Sequence, residues 1–249
     1  MKLGNILAVD TSSRVLSVAI SATPHGGSAA SFGGRASDQA VFEANLDGTP
    51  RHSEQLIDLI EEGLKRLNLK KNQLDQLVWG LGPGSFTGLR IGLSALKGFH
   101  LGFQKRAFGA SSLDLIALGS GMVSGELAVC VDARREHIYT AIYRFENNMP
   151  KKIIRESLFS FDQLIEKLKR GMAITGDALT TYGDLIRKRV GKSVLFLNPT
   201  FWYPRALFLV RLCEQKRSWL KPLTLRSMQP LYLRASEAEE KFGISRRKR

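Results

Sequence analysis

The stretch Ile6-Leu7-Ala8-Val9-Asp10-Thr11-Ser12-Ser13-Arg14-Val15-Leu16-Ser17-Val18-Ala19-Ile20 decides the fold. Its first four residues are an apolar run, Asp10 to Ser13 form a polar turn, and then Val15, Ser17 and Ala19 alternate with Leu16, Val18 and Ile20. Run, turn and alternating run predict two adjacent strands in a hairpin. The order returns at Leu127-Ala128-Val129-Cys130-Val131, which ends in Asp132-Ala133-Arg134-Arg135 before His137 to Tyr143 alternates through Ile138, Thr140 and Ile142. Recurrence of strand, acidic turn and strand at residues 6–20 and 127–143 predicts a duplicated α/β architecture with a boundary between Gly109 and Gly125. The length allows it: 249 residues suffice for one large α/β unit or for two domains of about 125 residues, each able to bury its own core.

Between the two units, Leu56, Ile60 and Leu64 recur four apart, with Ile57 and Leu67 alongside and Glu54, Asp58, Glu61 and Lys65 outside them. That spacing predicts an amphipathic helix over 53–67. Leu74 to Trp79 is a short apolar strand, and Gly80-Leu81-Gly82-Pro83-Gly84-Ser85-Phe86-Thr87-Gly88 is a dense turn leading into a second helix from Leu89 to about Phe103. This helix carries Ser94, Gly98 and Gly102 four apart, after Gly88 and Gly92, which lowers helicity and lets another backbone approach. Two readings stand: an interface with another subunit or domain, or packing inside the chain. Pro24 to Pro50, rich in Gly, Ser and Ala, reads as a surface excursion with a third strand over 40–46. Later, 161–168 and 205–213 read as helices, 173–177 as a strand entering a turn, and 223–234 gives mixed signals.

Composition narrows the class. With 37 Lys and Arg against 23 Asp and Glu, a net charge of +14 and 43% hydrophobic residues, the chain reads as a basic globular protein rather than a disordered or fibrous one. Such charge attracts phosphate-bearing partners without establishing that this chain itself grips nucleic acid. Cys130 and Cys213 lie far apart among apolar neighbours, which suits a reducing compartment and supplies neither a disulfide framework nor a thiolate metal set. Asp10 interrupts the first apolar run before a signal core or membrane span forms, so the expectation is cytoplasmic, with no membrane. The end, Arg234 to Arg249, holds six Lys or Arg and three Glu and reads as a disordered tail, one that attracts RNA phosphates or merely solubilises.

Asp10, at a strand end beside the hydroxyls of Thr11, Ser12 and Ser13, either faces a phosphate through a metal ion or caps its own turn. Asp132 and Asp177 occupy similar junctions and either converge with it across a cleft or serve as turn caps. The Gly80–Gly88 loop lacks the Lys-Ser/Thr ending of a nucleoside-triphosphate loop and the spacing of a dinucleotide fingerprint. Its amides, with Arg90 nearby, suit an anion, while its glycines equally suit a tight bend and close packing. His25, His52, His100 and His137 form no paired-histidine helical metal motif, and no G-x-S-x-G elbow supports a hydrolase. A peptidase reading rests on isolated Ser, His and Asp residues alone.

In combination, Ile6-Leu7-Ala8-Val9-Asp10-Thr11-Ser12, His52-Ser53-Glu54, the Gly80 to Arg90 stretch, Val131-Asp132-Ala133-Arg134 and Thr175-Gly176-Asp177 resemble the TsaB family over most of residues 3–234. These are dimerisation subunits of the bacterial tRNA threonylcarbamoyladenosine system. The resemblance implies an actin-like, Hsp70-like ATPase (ASKHA) fold of two duplicated ribonuclease-H-like lobes: 1–109 with a helical dimerisation surface, 110–234, and a flexible basic tail at 235–249. It implies a noncatalytic scaffold and activator of the paralogous TsaD subunit, which transfers a threonylcarbamoyl group to N6 of adenosine 37 in tRNA. A nucleotide-binding subunit, TsaE, joins the cycle, self-association occurs without TsaD, and tRNA is met through the complex. No catalytic, cofactor or metal residue is implied in this chain, ATP or ADP and a metal ion being expected on the partner subunits. The Asp-Thr-Ser-Ser turn departs from the Asp-x-Gly-Thr phosphate loop of active members of the fold. Interface candidates from the resemblance are His52, Leu56, Ile60, Leu64, Arg90, Gly92 and Gly98. The alternative is an independent ATPase or small-molecule kinase of the same fold.

Overall fold

The computed structural model describes residues 4–23, 40–48, 52–121, 123–147, 149–215 and 218–233. Strand β1 (Ile6–Asp10) is buried along its whole length, and its alternate residues serve two different cores. Leu7 and Val9 pack toward one face, Ile6 and Ala8 toward the other, the signature of a central strand covered on both sides. It pairs antiparallel with β2 (Val15–Ala22), which pairs antiparallel with β3 (Ala40–Asp47). On its other side β1 runs parallel to β4 (Gln76–Gly80), and β4 runs parallel to β5 (Arg106–Ala110). Two helices, α1 (His52–Arg66) and α2 (Phe86–Phe103), lie side by side on one face of this sheet.

The second sheet repeats the order. Strand β6 (Glu126–Asp132) pairs antiparallel with β7 (His137–Glu146), which pairs antiparallel with β8 (Met149–Ser160). It runs parallel to β9 (Ala173–Thr175), which runs parallel to β10 (Leu195–Phe196). Helices α4 (Phe161–Lys167) and α5 (Ala178–Val190) cover one face, packing Leu164, Leu179 and Ile186 on Ala128, Cys130 and Ile174. Third strand, second, first, then two parallel crossovers is the ribonuclease-H-like arrangement, and it occurs twice, as the repeated hairpin predicts. Sequence periodicity misses β5, β8, α5 and β10 and leaves 109–125 as a boundary.

That boundary is helix α3 (Ser112–Gly119), which joins the lobes from inside. Leu115 enters the core beneath β1, whereas Leu113, Ile116 and Ala117 enter the core beneath β6. Its first turn is bonded to both lobes: the Ser112 hydroxyl donates to Asp10 Oδ2 at 2.6 Å, and the Tyr143 hydroxyl donates to Asp114 Oδ1 at 2.7 Å. Lys152 Nζ adds an ion pair to Asp114 at 2.7 Å, which opposes the upward push of burial on that carboxyl's pKa.

The chain crosses the expected division at 109/110 again near its end. Helix α6 (Leu207–Glu214) covers the second face of the first sheet, packing Leu209 and Leu212 on Ile6, Ala19 and Val78. Strand β11 (Lys221–Leu223) pairs antiparallel with β5, making a six-stranded sheet. Residues 207–214 and 221–223 of the expected second lobe thus complete the first. Of the Pro24–Pro50 excursion, 24–39 and 49–50 lie outside the described residues, as does the tail from Arg234.

Candidate functional site

The C-terminal ends of β1, β6 and β9 point into a cleft of about 680 Å³ between the lobes. On the first-lobe side the turn after β1 folds onto its own carboxylate. Ser12 N and Oγ donate to Asp10 Oδ1 at 2.8 and 2.7 Å, and Ser112 takes Oδ2. Asp10 is fully buried beneath the cleft and does not line it; burial pushes its pKa up against the pull of the hydrogen bonds from Ser112 and Ser12. Of the two sequence readings, the geometry is that of a turn cap.

The glycine loop explains itself against the same turn. A Cβ at Gly80 would stand 1.8 Å from Asp10 Oδ2, one at Gly88 2.1 Å from the Thr11 carbonyl oxygen, and one at Gly92 2.3 Å from Thr11 Oγ1. At Gly88 glycine lets two backbones touch, and at Gly80 and Gly92 it leaves room for the Asp10 and Thr11 side chains. Three of the loop's amides are also engaged: Ser85 N donates to the Ser12 carbonyl at 2.6 Å, Gly82 N to Ser112 Oγ and Gly88 N to Ser85 Oγ. Arg90 lies over the Phe86 ring, 3.9 Å from its centroid. The Asp10 carboxylate and the amides of Gly82, Ser85 and Gly88 are thus taken up by bonds within the turn, the loop and Ser112.

The second-lobe side differs. Asp132 and Asp177 meet: Asp132 N donates to Asp177 Oδ1 at 3.0 Å, and both carboxylates line the cleft. Burial, with the Asp132 charge adding to it, pushes Asp177 up to about 6, against the backbone hydrogen bond. Arg134 N caps Asp132 Oδ1 at 2.8 Å, and Arg134, Arg135 and Glu136 all hold positive φ (62°, 50° and 61°). Three consecutive left-handed residues with side chains are a strained turn. Thus the structure brings together two of the three aspartates singled out by sequence. Arg14, paired through two hydrogen bonds of 2.6 and 2.7 Å with Asp47, Thr180, Thr181, Tyr203 and Tyr232 complete the walls. Sequence reasoning missed these, and missed Ser112 although Ser111-Ser112 before an apolar run is a helix-start signal.

Of the interface candidates, Leu56, Ile60 and Leu64 require correction: they are buried in the first-lobe core against β2 and β3, because the apolar stripe of α1 is what holds it to the sheet. Gly92 is likewise buried, under Thr11. His52 opens α1, with its side chain outside the described residues. Arg90 is exposed at the cleft, and Gly98 is exposed with open space where a side chain would be, as is Gly102. The helix pair therefore exposes Ser94, Gly98, Gly102 and Leu101 on α2, the last 62% exposed, and Ile57 on α1. Among the described residues no cluster of His, Cys, Asp or Glu is placed to hold a metal, and no helix is long and apolar enough to cross a membrane. Cys130 and Cys213 are buried thiols pushed up to about 12 by desolvation.

A family model described as TsaD, tRNA N6-adenosine threonylcarbamoyltransferase, matches residues 48–200. The chain is 29% identical over 244 residues to the Escherichia coli tRNA threonylcarbamoyladenosine biosynthesis protein TsaB, covering 95% of this chain and 97% of that one. To the Bacillus subtilis protein of the same name it is 24% identical over 240 residues, with the same coverage. Among solved structures, YeaZ from Pseudomonas aeruginosa has a TM-score of 0.70 at 20% identity, spanning 92% of this chain and 100% of that one, a likeness of fold.

Proposed function

The chain belongs to the TsaD tRNA N6-adenosine threonylcarbamoyltransferase family, and from that premise we propose that it serves tRNA threonylcarbamoyladenosine formation as a noncatalytic scaffold and activator of a TsaD-like catalytic partner. Its relatives over nearly the whole chain carry the name of that biosynthesis. The observation that carries the scaffold role is the contrast within α2: its first turns are locked onto the Asp10 turn through Gly88 and Gly92, while its outer stripe at Ser94, Gly98 and Gly102 is open. Small residues on an exposed helix let a partner helix come close, and the exposed Leu101 of α2 and Ile57 of α1 supply apolar area to bury. The docked partner is the catalytic paralogue, a second copy of this chain takes its place when that paralogue is absent, and a TsaE-type ATPase acts on the assembled pair.

Reconstitution tests this directly. Threonylcarbamoyl transfer to tRNA requires both chains, and normal transfer by the catalytic subunit alone overturns the role. Gly98→Leu probes the face: the space is open, so the isolated chain keeps or gains stability, by about 0.5–1 kcal/mol from helix propensity. Copurification with the catalytic subunit is lost. A Gly98→Leu chain that still assembles and activates places the interface elsewhere.

A second reading, an independent ATPase or small-molecule kinase, draws on the Asp132–Asp177 pair facing the cleft. Saturable ATP binding by the isolated chain, lost in Asp132→Asn, would favour it. No binding at millimolar nucleotide removes it.

A further inference from the structure

The net charge of +14 is unevenly placed. Residues 1–121 carry 12 Lys and Arg against 10 Asp and Glu, residues 122–215 carry 15 against 10, and 167–192 alone carry seven against two. Those seven, Lys167, Lys169, Arg170, Arg187, Lys188, Arg189 and Lys192, are all exposed. They sit on two helix-to-strand connections, the end of α4 with the loop entering β9 (Lys167, Lys169, Arg170) and the last turn of α5 with the loop entering β10 (Arg187, Lys188, Arg189, Lys192), joined by a hydrogen bond from Gly171 N to the Ser193 carbonyl at 2.7 Å. Because β6, β9 and β10 are parallel and their C-terminal ends carry Asp132 and Asp177, these loops lie at the end of the second lobe remote from the cleft.

The acids nearby do not neutralise this surface. Arg187–Asp184 and Arg189–Asp162 are exposed pairs at 3.5 Å and Lys169–Glu126 stands at 3.8 Å, all of the kind that water and salt screen. Helix α5 ends on three consecutive basic residues, so its dipole accounts for some of the charge there, but Lys167, Lys169, Arg170 and Lys192 lie on other segments. At the second connection is a shallow cavity of about 410 Å³ lined by Arg187, Lys192, Val194, Leu195 and Phe196. The Arg187 guanidinium lies 4.3 Å from the Phe196 ring centroid, Leu195 is 62% exposed and Leu185 50%. Clustered cations around a flat guanidinium and exposed apolar side chains match a phosphate backbone with an unstacked base beside it.

We infer that this remote end of the second lobe is a direct contact surface for RNA, gripping the phosphate backbone of the tRNA with the basic residues of its two helix-to-strand connections. The identity of the RNA rests on the proposed role in tRNA modification; the surface itself rests on charge and exposure. It gives the chain a contact with substrate in addition to its contact with the catalytic partner.

The test uses the full chain with Lys167→Glu, Arg170→Glu, Lys188→Glu and Lys192→Glu combined, and a parallel set with Gln at the same positions should Glu impair folding. Fluorescence anisotropy with unmodified tRNA is expected to show at least tenfold weaker binding, and a log–log salt slope shallower by about 3 for four lost contacts. A further variant with Arg246→Gln, Arg247→Gln, Lys248→Gln and Arg249→Gln isolates the tail, and the loop effect persists in it. In reconstituted transfer the loop variant raises KM for tRNA while copurification and kcat hold. Unchanged tRNA affinity and slope in the loop variants overturns the proposal, as does affinity that vanishes with the tail variant alone. Lost copurification with tRNA affinity intact overturns it in favour of a protein-docking face, and lost binding to phosphatidylserine vesicles with tRNA affinity intact, in favour of a membrane surface. If transfer proceeds without this chain at all, the scaffold role fails while the anisotropy result still decides the surface.

Discussion

The turns after β1 and β6 occupy the same place in the same strand order, and each follows a strand ending in aspartate. In the first, Asp10 is fully buried and spends its oxygens on Ser12 and Ser112, with the glycine loop pressed on the turn's outer side. In the second, Asp132 stays at the cleft wall, capped by Arg134 N, and the turn continues through three residues of positive φ. Duplication preserved the strand order while the neighbours of the turn diverged. What closes the first turn is the loop after β4, whose glycines admit backbone contact; the corresponding loop after β9 delivers Asp177 instead. Shape is inherited at this position, and chemistry is set by the crossover loop that packs against it.

Four substitutions would break or sharpen the contrast. The largest effect is expected from Gly88→Ala, which drives a methyl to 2.1 Å from a backbone oxygen that has no rotamer to escape by; we expect a loss of about 4 kcal/mol or more in denaturant unfolding. A loss under about 1 kcal/mol would mean that the first turn is looser than described. Asp10→Ala strands two serine hydroxyls and an amide but also removes a buried carboxylate, for a net loss of about 2–3 kcal/mol.

On the second lobe the sign reverses. Asp177, raised from 3.8 to about 6, favours the protonated form when folded, so its contribution is fully present below pH 4 and is lost as pH rises through 6. Asp177→Asn keeps the acceptor for Asp132 N without the charge. It is expected to stabilise the protein by about 2 kcal/mol at pH 7, the upper limit from the shift being about 3. Equal gains at pH 4 and pH 7 would exclude titration as the cause. The smallest effect is that of Glu136→Gly, which relieves one left-handed residue and should raise stability by at most about 1 kcal/mol, read as a small increase in Tm.

Much of this comparison is legible in the sequence, because the repeated hairpin depends on period-2 alternation within a few residues. The amphipathic period of α1 is equally visible, but periodicity identifies an apolar face without saying what covers it. Leu56, Ile60 and Leu64 read as an interface until the first sheet is seen beneath them. Gly92 and Gly98 look identical in a stripe of small residues; only the approach of Thr11 to one and open space at the other separates them. Helix α3 is hidden for a related reason: both of its faces are buried, so Leu113, Leu115 and Ile116 give no clean amphipathic pattern. The meeting of Asp132 with Asp177 is a tertiary fact, written in two segments 45 residues apart.

Strand β11 has a consequence for the order in which the molecule can be built. The edge of the sheet containing residues 6–10 is supplied by 221–223, and the cover over Ile6, Ala19 and Val78 by 207–214. At about 5–20 residues per second on the ribosome, the lobe that emerges first waits on the order of ten seconds for its last pieces, while the strands and helices of 126–196 arrive in one unbroken stretch. The later lobe can close before the earlier one. A chain cut short before residue 207 would therefore fail at its beginning, with an apolar sheet face left bare in the N-terminal lobe.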